Sequence, residues 1–548
     1  MDRQASQEPN DPGRRERGAS SAVGIAAVLA IGAVAAVCYA TSPTGGDFVW
    51  SDAPRHALNG AFLFDMLRAF PVGDPVRWAY DYYLQYPALS ILFYPPLFYV
   101  LLVPVYALFG VSQASALLLS AGFMFMLGLS SFALARRLMP PLAALGVGIA
   151  AMASPEMAFW GRMVMLDIPA IALATWAVVH FLRFCDNGRT ADLAAFLFLF
   201  LCALYTKQFM AFLAPALGVY LLWKRGWRFL AEPRTWILGA LTVLALAPLI
   251  YINLRFASFN FEQAGAGSLR HSADPWGEAA FYLLAMPGQM GWPLFLAGLL
   301  GLALLALGRL DRRDLGQHLL LLAWIVLCYA MFTPIALKAP RYTLPLVVPW
   351  AIFAGLAVTA VLHRRGPVLV VAGAICIVAW TLAFRPVFSF KGMQEAAMAA
   401  AKAAPSDSNV FFSGKYDGAF IFAIRADSGR RDLSVIRADK VLVQVRVERA
   451  HGITEAQMTD DEILQKIREL GLKTIVHHVG FWTDVPIIAR FEKLLQTPAF
   501  TEIERIPIVA NFPTDDATQL IVYRPNFPVA DGRPKVPMTL GHTGDVIK

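Results

Sequence analysis

The chain has 548 residues, of which 57% are hydrophobic and 16% are charged, and its formal net charge is +8. Soluble domains carry about a quarter charged residues, so this composition excludes an ordinary soluble protein and indicates that most of the chain lies in lipid. The positive charge does not indicate nucleic acid as a partner, because Lys and Arg lie mainly in short loops between apolar runs, where they orient a chain across a membrane.

The first apolar run follows a polar N-terminal segment. Residues 1–20 are rich in Pro, Gly, Arg and Glu, which predicts a disordered cytoplasmic tail. Residues 21–41 form an apolar run of about 20 residues, the length needed to cross a bilayer. Because many more apolar runs follow, we interpret this run as an uncleaved first helix with its N-terminus in the cytoplasm.

Residues 42–112 are predicted to form the first outer loop, and residues 47–99 within it are the longest stretch of the N-terminal two-thirds that is not simply apolar. Its first part combines carboxylates and arginines with many Trp and Tyr residues, a composition that indicates a reaction site at a membrane surface. Asp52 is the leading candidate there. The alternative is that Asp52 only caps a short helix, since it follows Ser51 and precedes Pro54. The run 97–110 is short, and we expect a helix in or dipping into the outer face.

Further apolar runs follow, and together with residues 21–41 they predict about eleven transmembrane helices in a domain of residues 21–385. The cytoplasmic turns carry most of the Lys and Arg, as the positive-inside rule expects. These runs are 113–135, 141–158, 168–184, 191–206, 208–223, 236–252, 289–308, 316–335, 343–362 and 367–384.

Residues 386–524 differ from the rest in being more charged and in having short β-rich runs. Strands are predicted at residues 409–414, 433–437, 473–478, 502–509 and 519–524, and helices between them at 393–404, 460–471 and 485–496. Strands that alternate with helices indicate a small α/β domain. The span count places this domain on the extracytoplasmic side, and residues 525–548 are predicted to be a polar tail.

Ionisable residues at the membrane surface are functional candidates, because burying them there costs free energy. Cations can clamp a phosphate leaving group, and a carboxylate can act as a general base on a hydroxyl. The outer face is predicted to collect Asp52, Arg55, His56, Arg162, Asp167, Lys207, Arg255, Arg270, Lys338 and Arg341.

Several of these residues have simpler interpretations. Asp167 precedes Ile168 and Pro169 at a helix entrance, where it could be only an N-cap. Lys207 could extend to the interface without binding anything, and Lys338 and Arg341 share that ambiguity. Arg162 could anchor at the headgroup level, and His56 could be structural.

Several motifs together resemble the glycosyltransferase C superfamily, in its protein O-mannosyltransferase and aminoarabinose-transferase-like branch. The resemblance extends over about residues 20–385. The family's Asp-Glu pair after the first helix corresponds to Asp52-Ala53, where alanine replaces the glutamate. Its Pro-Pro-Leu segment is present, but the basic residue that often precedes it is absent. The matching stretches are Asp52-Ala53-Pro54-Arg55-His56, Tyr94-Pro95-Pro96-Leu97, Arg162…Leu166-Asp167, Lys207 and Arg341-Tyr342…Pro345…Pro349.

The resemblance implies a polytopic helical membrane protein of the glycosyltransferase C fold with an extracytoplasmic α/β domain. It implies inverting transfer of a sugar from a polyprenyl-phosphate donor to an acceptor hydroxyl of a lipid, glycan or protein, with Asp52 as base. Asp167 would orient the acceptor or help to bind a divalent cation, whose involvement stays open. Arg55 and His56 would help Asp167 in that positioning. The phosphate would be held by cations of the outer face, namely Lys207, Arg255 or Arg270, Lys338 with Arg341, and Arg162.

The expected location is the bacterial inner membrane, with membrane lipids as neighbours. The main alternative is a transporter or flippase for a lipid-linked or anionic substrate, which would use the same cations and a similar apolar groove. A transporter is expected to have internal repeats, and we see no convincing repeat. A second alternative is a non-catalytic assembly protein of the cell envelope.

Overall fold

The computed structural model describes residues 12–256, 274–335, 337–445, 449, 452–513, 519–539 and 546–547. For residues 12–22, 256, 538–539 and 546–547 it describes the backbone alone.

Helices make up the first part of the chain. They are α1 (Pro12–Ala40), α2 (Asp52–Ala69), α3 (Pro75–Gln85), α4 (Leu97–Phe109), α5 (Gln113–Ala135), α6 (Pro141–Ala153), α7 (Pro155–Gly161), α8 (Asp167–Asn187), α9 (Thr190–Leu204), α10 (Ala214–Arg225), α11 (Pro233–Phe256), α12 (Pro275–Met290), α13 (Trp292–Ala306), α14 (Leu315–Phe332), α15 (Val347–Leu362) and α16 (Gly366–Phe384). The first helix begins at Pro12, within the segment that the sequence predicts to be a disordered tail.

The helices differ in their capacity to cross a membrane. Six described segments are long and apolar enough to do so, or seven if α6 and α7, which meet at a bend of 62°, count as one. The helices α4, α9 and α13 are apolar but shorter, with 13 to 15 residues. The predicted number of about eleven spans also counted such short runs, so that number stays a prediction.

The C-terminal region contains both strands and helices. Its helices are α17 (Met393–Ala403), α18 (Asp417–Ala426), α19 (Asp460–Glu469) and α20 (Pro486–Leu495). Its strands are β1 (Phe390–Lys391), β2 (Ser408–Ser413), β3 (Leu433–Arg437), β4 (Val443–Val445), β5 (Ile453–Glu455), β6 (Leu472–His478), β7 (Phe500–Pro507), β8 (Val509–Ala510), β9 (Gln519–Pro525), β10 (Met538–Thr539) and β11 (Val546–Ile547).

A five-stranded sheet in the order β3-β2-β6-β9-β7 organises this domain. The strand β2, second in this order, runs parallel to β3 and β6, with Val410 opposite both Val435 and Thr474. The strands β6, β9 and β7 pair antiparallel. β2 is buried along its whole length, as expected of a parallel strand that helices cover on both faces.

Successive residues of the strands face two different layers, because side chains alternate across a sheet. Val410 and Phe412 belong to a core that is continuous with that of the membrane helices through α17 and α18. Phe411 belongs to a separate core that packs under α19 and α20. The domain therefore rests on the membrane helices through one face of its sheet.

The predicted α/β domain is confirmed, and each of its predicted strands and helices is present within a few residues. The helix α18 was missed, because it is buried on all sides from Gly418 to Arg425 and so has no polar stripe to show a helical period. The predicted polar tail was wrong in part, since Pro534 accepts a hydrogen bond from Asn409 and Val536 is buried against the domain.

Contacts from the first outer loop hold the α/β domain in place. The carboxylate of Asp47 accepts hydrogen bonds from the backbone N–H groups of Met393 (2.8 Å) and Gln394 (3.0 Å) at the start of α17. Further along α2, Asp65 forms an ion pair with the buried Arg425 of α18. The domain therefore lies directly over the first outer loop.

Candidate active site

Four charged side chains from distant parts of the chain meet beside the first outer loop. Asp52 is the first residue of α2, and Asp167 is the first residue of α8. Lys207 lies in the turn after α9, and Arg341 lies in the 3₁₀-helix Pro340–Leu346. Each residue lies at or near the end of a helix, where the chain enters or leaves the bundle.

The four side chains form two ion pairs. Nη2 of Arg341 lies 3.2 Å from Oδ2 of Asp52, and Nζ of Lys207 lies 2.7 Å from Oδ1 of Asp167. The Asp167 side chain is fully buried, and the other three are 12% to 23% exposed. Removing one partner of such a pair would leave a buried charge without compensation. Within each pair, the stability of one residue in its buried position therefore depends on the other.

Helix capping does not account for the two carboxylates. The residues at the cap positions of α2 and α8, Ser51 and Leu166, make no side-chain capping hydrogen bond. The carboxylates of Asp52 and Asp167 instead bond to cations from other elements. These contacts join four segments of the chain, which a cap would not do.

Two polar atoms of this site lack a hydrogen-bond partner among the described residues. They are Oδ2 of Asp167 and Nη1 of Arg341, and both are buried. A buried donor or acceptor without a partner costs about 1–3 kcal/mol, and native proteins contain few of them. The site therefore has one acceptor and one donor that a ligand hydroxyl and a ligand anionic oxygen could satisfy.

Aromatic rings surround the Arg341 guanidinium. Its carbon lies 5.9 Å from the ring centre of Trp50, 5.3 Å from that of Trp160 and 5.7 Å from that of Tyr342. Trp50 and Trp160 also contact each other edge to face. The sequence did not single out the two tryptophans, although each lies two residues from a predicted site residue.

The local charges decide which groups are ionised. Burial alone would raise the pKa of Asp52, but the surrounding positive charges, Arg341 foremost, together outweigh burial and hold that pKa below its usual value of 3.8. Burial lowers the pKa of His56 from 6.5 to about 4. His56 is therefore neutral at pH 7, with Nδ1 3.0 Å from the hydroxyl of Tyr99. Asp52 is therefore an ionised carboxylate at pH 7, and His56 is a packed neutral neighbour.

The structure places two arginines predicted at the site, Arg55 and Arg162, outside this cluster. Arg55 extends from α2 to Asp417 of the α/β domain. Arg162 donates to the carbonyl oxygens of Ala158 and Arg385, so its guanidinium holds backbone and does not face the cluster. This placement argues against Arg162 as a phosphate ligand.

The remaining predicted cations lie on the side of α11 and α12. Lys338 lies 3.5 Å from Glu278 and over the ring of Tyr282. Arg255 is exposed at the end of α11, and Arg270 lies outside the described residues. The cluster therefore contains two of the predicted cations, Lys207 and Arg341.

The donor set for a divalent cation is not assembled in the described ranges, where no three His, Cys, Asp or Glu side chains come together. Asp52 and Asp167 each hold a cationic side chain instead.

An apolar groove begins beside Lys207. It has a volume of about 410 Å³ and lies between α8, α9, α10 and α11. Leu204 and Ala211, which flank Lys207 in the chain, line it together with Phe181 and Phe200. The segment that carries Lys207 thus also contributes to a surface that suits a hydrocarbon chain.

Comparison with known proteins agrees with this architecture. Residues 94–252 match the dolichyl-phosphate-mannose-protein mannosyltransferase family. A comparison of the sequence with curated proteins finds no match.

Solved structures share the fold over most of the chain. ArnT from Cupriavidus metallidurans bound to undecaprenyl phosphate matches with a TM-score of 0.59 at 16% identity, covering 92% of this chain and 99% of that one. The Archaeoglobus fulgidus oligosaccharyltransferase matches with a TM-score of 0.54 at 11% identity, covering 90% and 75%. The mycobacterial arabinofuranosyltransferase AftD matches with a TM-score of 0.50 at 14% identity, covering 92% and 42%.

These matches confirm the fold that the sequence motifs predict. The chain is a polytopic helical membrane protein of the glycosyltransferase C fold with a C-terminal α/β domain.

The two residues of the buried ion pair should depend on each other for stability. Lys207→Met leaves the buried Asp167 carboxylate without its cation, and we expect a loss of about 3–5 kcal/mol. The double variant Lys207→Met/Asp167→Asn should recover most of that loss, because no charge is then left unpaired. Thermal unfolding of the purified protein in nanodiscs measures both. Equal destabilisation in the single and double variants would contradict the pairing.

The buried His56 should make stability depend on pH. Its pKa is about 4 in the folded protein and 6.5 in the unfolded chain, so unfolding takes up a proton between these values. Its contribution is complete above pH 6.5 and is lost as the pH falls to about 4, by about 3 kcal/mol. Denaturant unfolding at pH 7.5 and 5 should show a smaller decrease for His56→Gln than for wild type. Equal decreases would show that His56 is not buried in neutral form.

Proposed function

We propose that the protein is an integral membrane glycosyltransferase that moves a sugar from a polyprenyl-phosphate donor to an acceptor hydroxyl on the outer side of the membrane. The proposal rests on two neighbouring ion pairs, Asp52–Arg341 and Asp167–Lys207. In these pairs, one oxygen of Asp167 and one nitrogen of Arg341 have no hydrogen-bond partner among the described residues. A carboxylate next to two cations at the end of an apolar groove suits an anionic lipid-linked substrate.

The donor phosphate would lie between Arg341 and Lys207. Arg341 Nη1 has no partner among the described side chains and backbone groups, so it can bond to a phosphate oxygen without first losing a contact. The polyprenyl chain would lie in the apolar groove that Leu204 and Ala211 line beside Lys207. Charge-assisted bonds from arginine and lysine would then stabilise the negative charge that develops on the leaving phosphate.

Asp52 would act as the general base. As the acceptor hydroxyl attacks the anomeric carbon, its proton passes to Asp52, an oxygen–carbon bond forms, and the bond from that carbon to the phosphate oxygen breaks. The electron pair of the broken bond stays on polyprenyl phosphate. Attack opposite the leaving group inverts the anomeric configuration. The donor phosphate would also draw Arg341 away from Asp52, which would raise the basicity of the carboxylate when the donor is bound.

Asp167 would position the other participants. Its Oδ1 orients the Lys207 ammonium, and its buried Oδ2 is a free acceptor for a hydroxyl of the sugar or of the acceptor. This role suits a fully buried carboxylate that is held by its own cation.

The comparisons support the same proposal. The Cupriavidus metallidurans protein was crystallised with undecaprenyl phosphate, and the matching family is described as dolichyl-phosphate-mannose-dependent. We carry to this chain the class of donor, a polyprenyl-phosphate sugar, and leave the sugar itself unassigned.

The proposed orientation puts the N-terminus in the cytoplasm of a bacterial inner membrane and the α/β domain outside. The positions of basic residues in two turns support this orientation. Arg137 lies at the end of α5, where it pairs with Asp186 at the end of α8, and Arg225 lies at the end of α10, where it pairs with Glu232. These turns lie at the ends of helices whose opposite ends approach Asp167 and Lys207. Basic residues in such turns favour the cytoplasmic side.

Asp52→Asn should reduce turnover while leaving the fold intact. Removing a general base lowers a rate by about 10²–10⁴-fold, and asparagine keeps the shape of the side chain. The measurement is release of polyprenyl phosphate by purified protein supplied with polyprenyl-phosphate pentoses and hexoses and with envelope acceptors. Asp74→Asn is a matched control in the same loop, because asparagine caps α3 as well as aspartate does.

The outcomes separate the alternatives. Release by wild type and Asp74→Asn that collapses in Asp52→Asn supports the transferase and its base. Equal release by all three proteins would keep the enzyme and exclude Asp52 as its base. No release from any donor by well-folded protein would contradict the transferase and favour a transporter or flippase that uses the same groove and cations.

A further inference from the structure

A cavity of about 560 Å³ lies between the α/β domain and the start of α2. Trp50, Ser51 and Arg55 line it from the side of the membrane domain. The volume falls within the range of about 300–1,000 Å³ that ligand pockets occupy. We refer to this cavity as the upper chamber.

The other wall of the upper chamber is formed by the carboxyl ends of the three parallel strands. Gly414 follows β2, Arg437 ends β3 and His478 ends β6, and all three line the chamber. The chain passes from β2 to β3, which lies on one side of β2, and later to β6, which lies on its other side. In open α/β sheets, the crevice at such a switch point is where ligands bind. The topology therefore marks the chamber as a binding site independently of its volume.

Two bulky residues that line the chamber have a strained backbone. Tyr416 has a φ of 65° and Trp482 has a φ of 48°, which is the left-handed region that favours glycine. The ring of Trp482 stacks on that of Phe481 at 4.6 Å. Strain of this kind is concentrated at ligand sites, where it holds a side chain in a required position. Here it presents aromatic faces to the chamber.

The half-buried charged side chains of the chamber neutralise one another, whereas two exposed cations, Lys415 and Arg449, also line it. Asp417 lies 3.0 Å from Arg55 and 3.1 Å from Arg437. Arg437 also holds Asp439. Burial opposes the ionisation of Asp417, but the two guanidinium groups outweigh it and bring its pKa to about 2. The network offers fixed carboxylate oxygens and N–H groups for hydroxyls. Of the other cations in the lining, Arg449 pairs with Asp484, and the exposed Lys415 has no carboxylate partner among the described residues.

The upper chamber opens next to the proposed base. Ser51, which lines the chamber, is the residue before Asp52. Trp50 is shared, because its ring lies in the chamber wall and also 5.9 Å from the Arg341 guanidinium carbon. A ligand in the chamber can therefore present one hydroxyl to Asp52 while the rest of it stays in contact with the α/β domain.

We propose that the upper chamber binds the acceptor and that the acceptor is a neutral saccharide chain. Sugar rings combine C–H faces, which pack on aromatic rings, with hydroxyls, which bond to fixed carboxylates and guanidinium groups. The lining of aromatic residues and mutually paired charges provides both. This inference rests on the proposed transferase activity and names the class of its acceptor.

An anionic lipid headgroup and a peptide fit the chamber less well. A phosphorylated headgroup would find one cation in the lining without a carboxylate partner among the described residues, the exposed Lys415, whereas the half-buried Arg55 and Arg437 share Asp417. An extended peptide would need an unpaired strand edge. The strands β2, β3 and β6 present their carboxyl ends to the chamber, and β2 is paired on both sides.

The test uses the full-length protein in nanodiscs with neutral manno-, gluco-, galacto- and arabino-oligosaccharides, with lipid A and with a Ser/Thr-rich peptide as acceptors. One readout is transfer from the polyprenyl-phosphate sugar. The other is quenching of tryptophan fluorescence during oligosaccharide titration without donor. The variants are Trp482→Ala and, as a matched control, Trp227→Ala, whose side chain is 72% exposed in the 3₁₀-helix that follows α10.

The expected result is saturable quenching by at least one oligosaccharide and transfer to it. Trp482→Ala should raise the KM for that acceptor at least tenfold and leave the KM for donor near that of wild type, and Trp227→Ala should match wild type. KM should not change between 50 mM and 500 mM salt, because a neutral ligand is not screened. Melting temperatures check that the variants fold.

Transfer to lipid A or to the peptide alone would overturn the inference, as would an acceptor KM that Trp482→Ala does not change. If no donor turns over with any acceptor, the proposed function fails, and the fluorescence arm still decides the inference. Quenching that Trp482→Ala abolishes would then support a saccharide site in the upper chamber, and absence of quenching would overturn it.

Discussion

Charge neutralisation at the edge of the lipid phase is the interaction on which the proposed site depends. Two carboxylates and two cations are brought there by α2, by α8, by the turn after α9 and by the 3₁₀-helix Pro340–Leu346. None of the four could be buried alone without a large cost, so each pair fixes the positions of two distant segments. The same pairs leave one acceptor and one donor unused within the described part of the site. An entering phosphate can replace a carboxylate as the anion that Arg341 or Lys207 binds. The cations that it requires are already present in the site.

The helix α2 connects this site to the α/β domain. Asp52 at its start faces Arg341, whereas Arg55, three residues later, reaches Asp417 of the domain. The next turns of α2 carry His56, which is packed and neutral, and then Asp65, which holds Arg425. One rigid element thus places the proposed base, the wall of the upper chamber and the contacts with the domain. Donor and acceptor would meet at the first turn of α2, with the lipid on one side and the domain on the other.

The sequence predicted the α/β domain and the residues of the two ion pairs, because their signals are local. Strands with buried parallel neighbours are continuous apolar runs, and charged residues beside apolar runs are conspicuous. It could not predict which cation meets which carboxylate, since that depends on how four helix ends pack. Arg162 was expected to face the site and instead holds backbone. Asp417 was missed because α18 is buried on all sides and has no amphipathic period. The strained conformations of Tyr416 and Trp482 have no signal in a single sequence.

A structure of the protein with bound polyprenyl phosphate would test the central claim most directly, by cryo-electron microscopy in nanodiscs. Our account predicts a phosphate oxygen within hydrogen-bond distance of Arg341 Nη1, the Lys207 ammonium on the same phosphate group, and the isoprenoid chain in the groove beside Leu204. It also predicts that the distance of 3.2 Å between Arg341 and Asp52 becomes longer. A phosphate bound elsewhere, with both ion pairs unchanged, would contradict it.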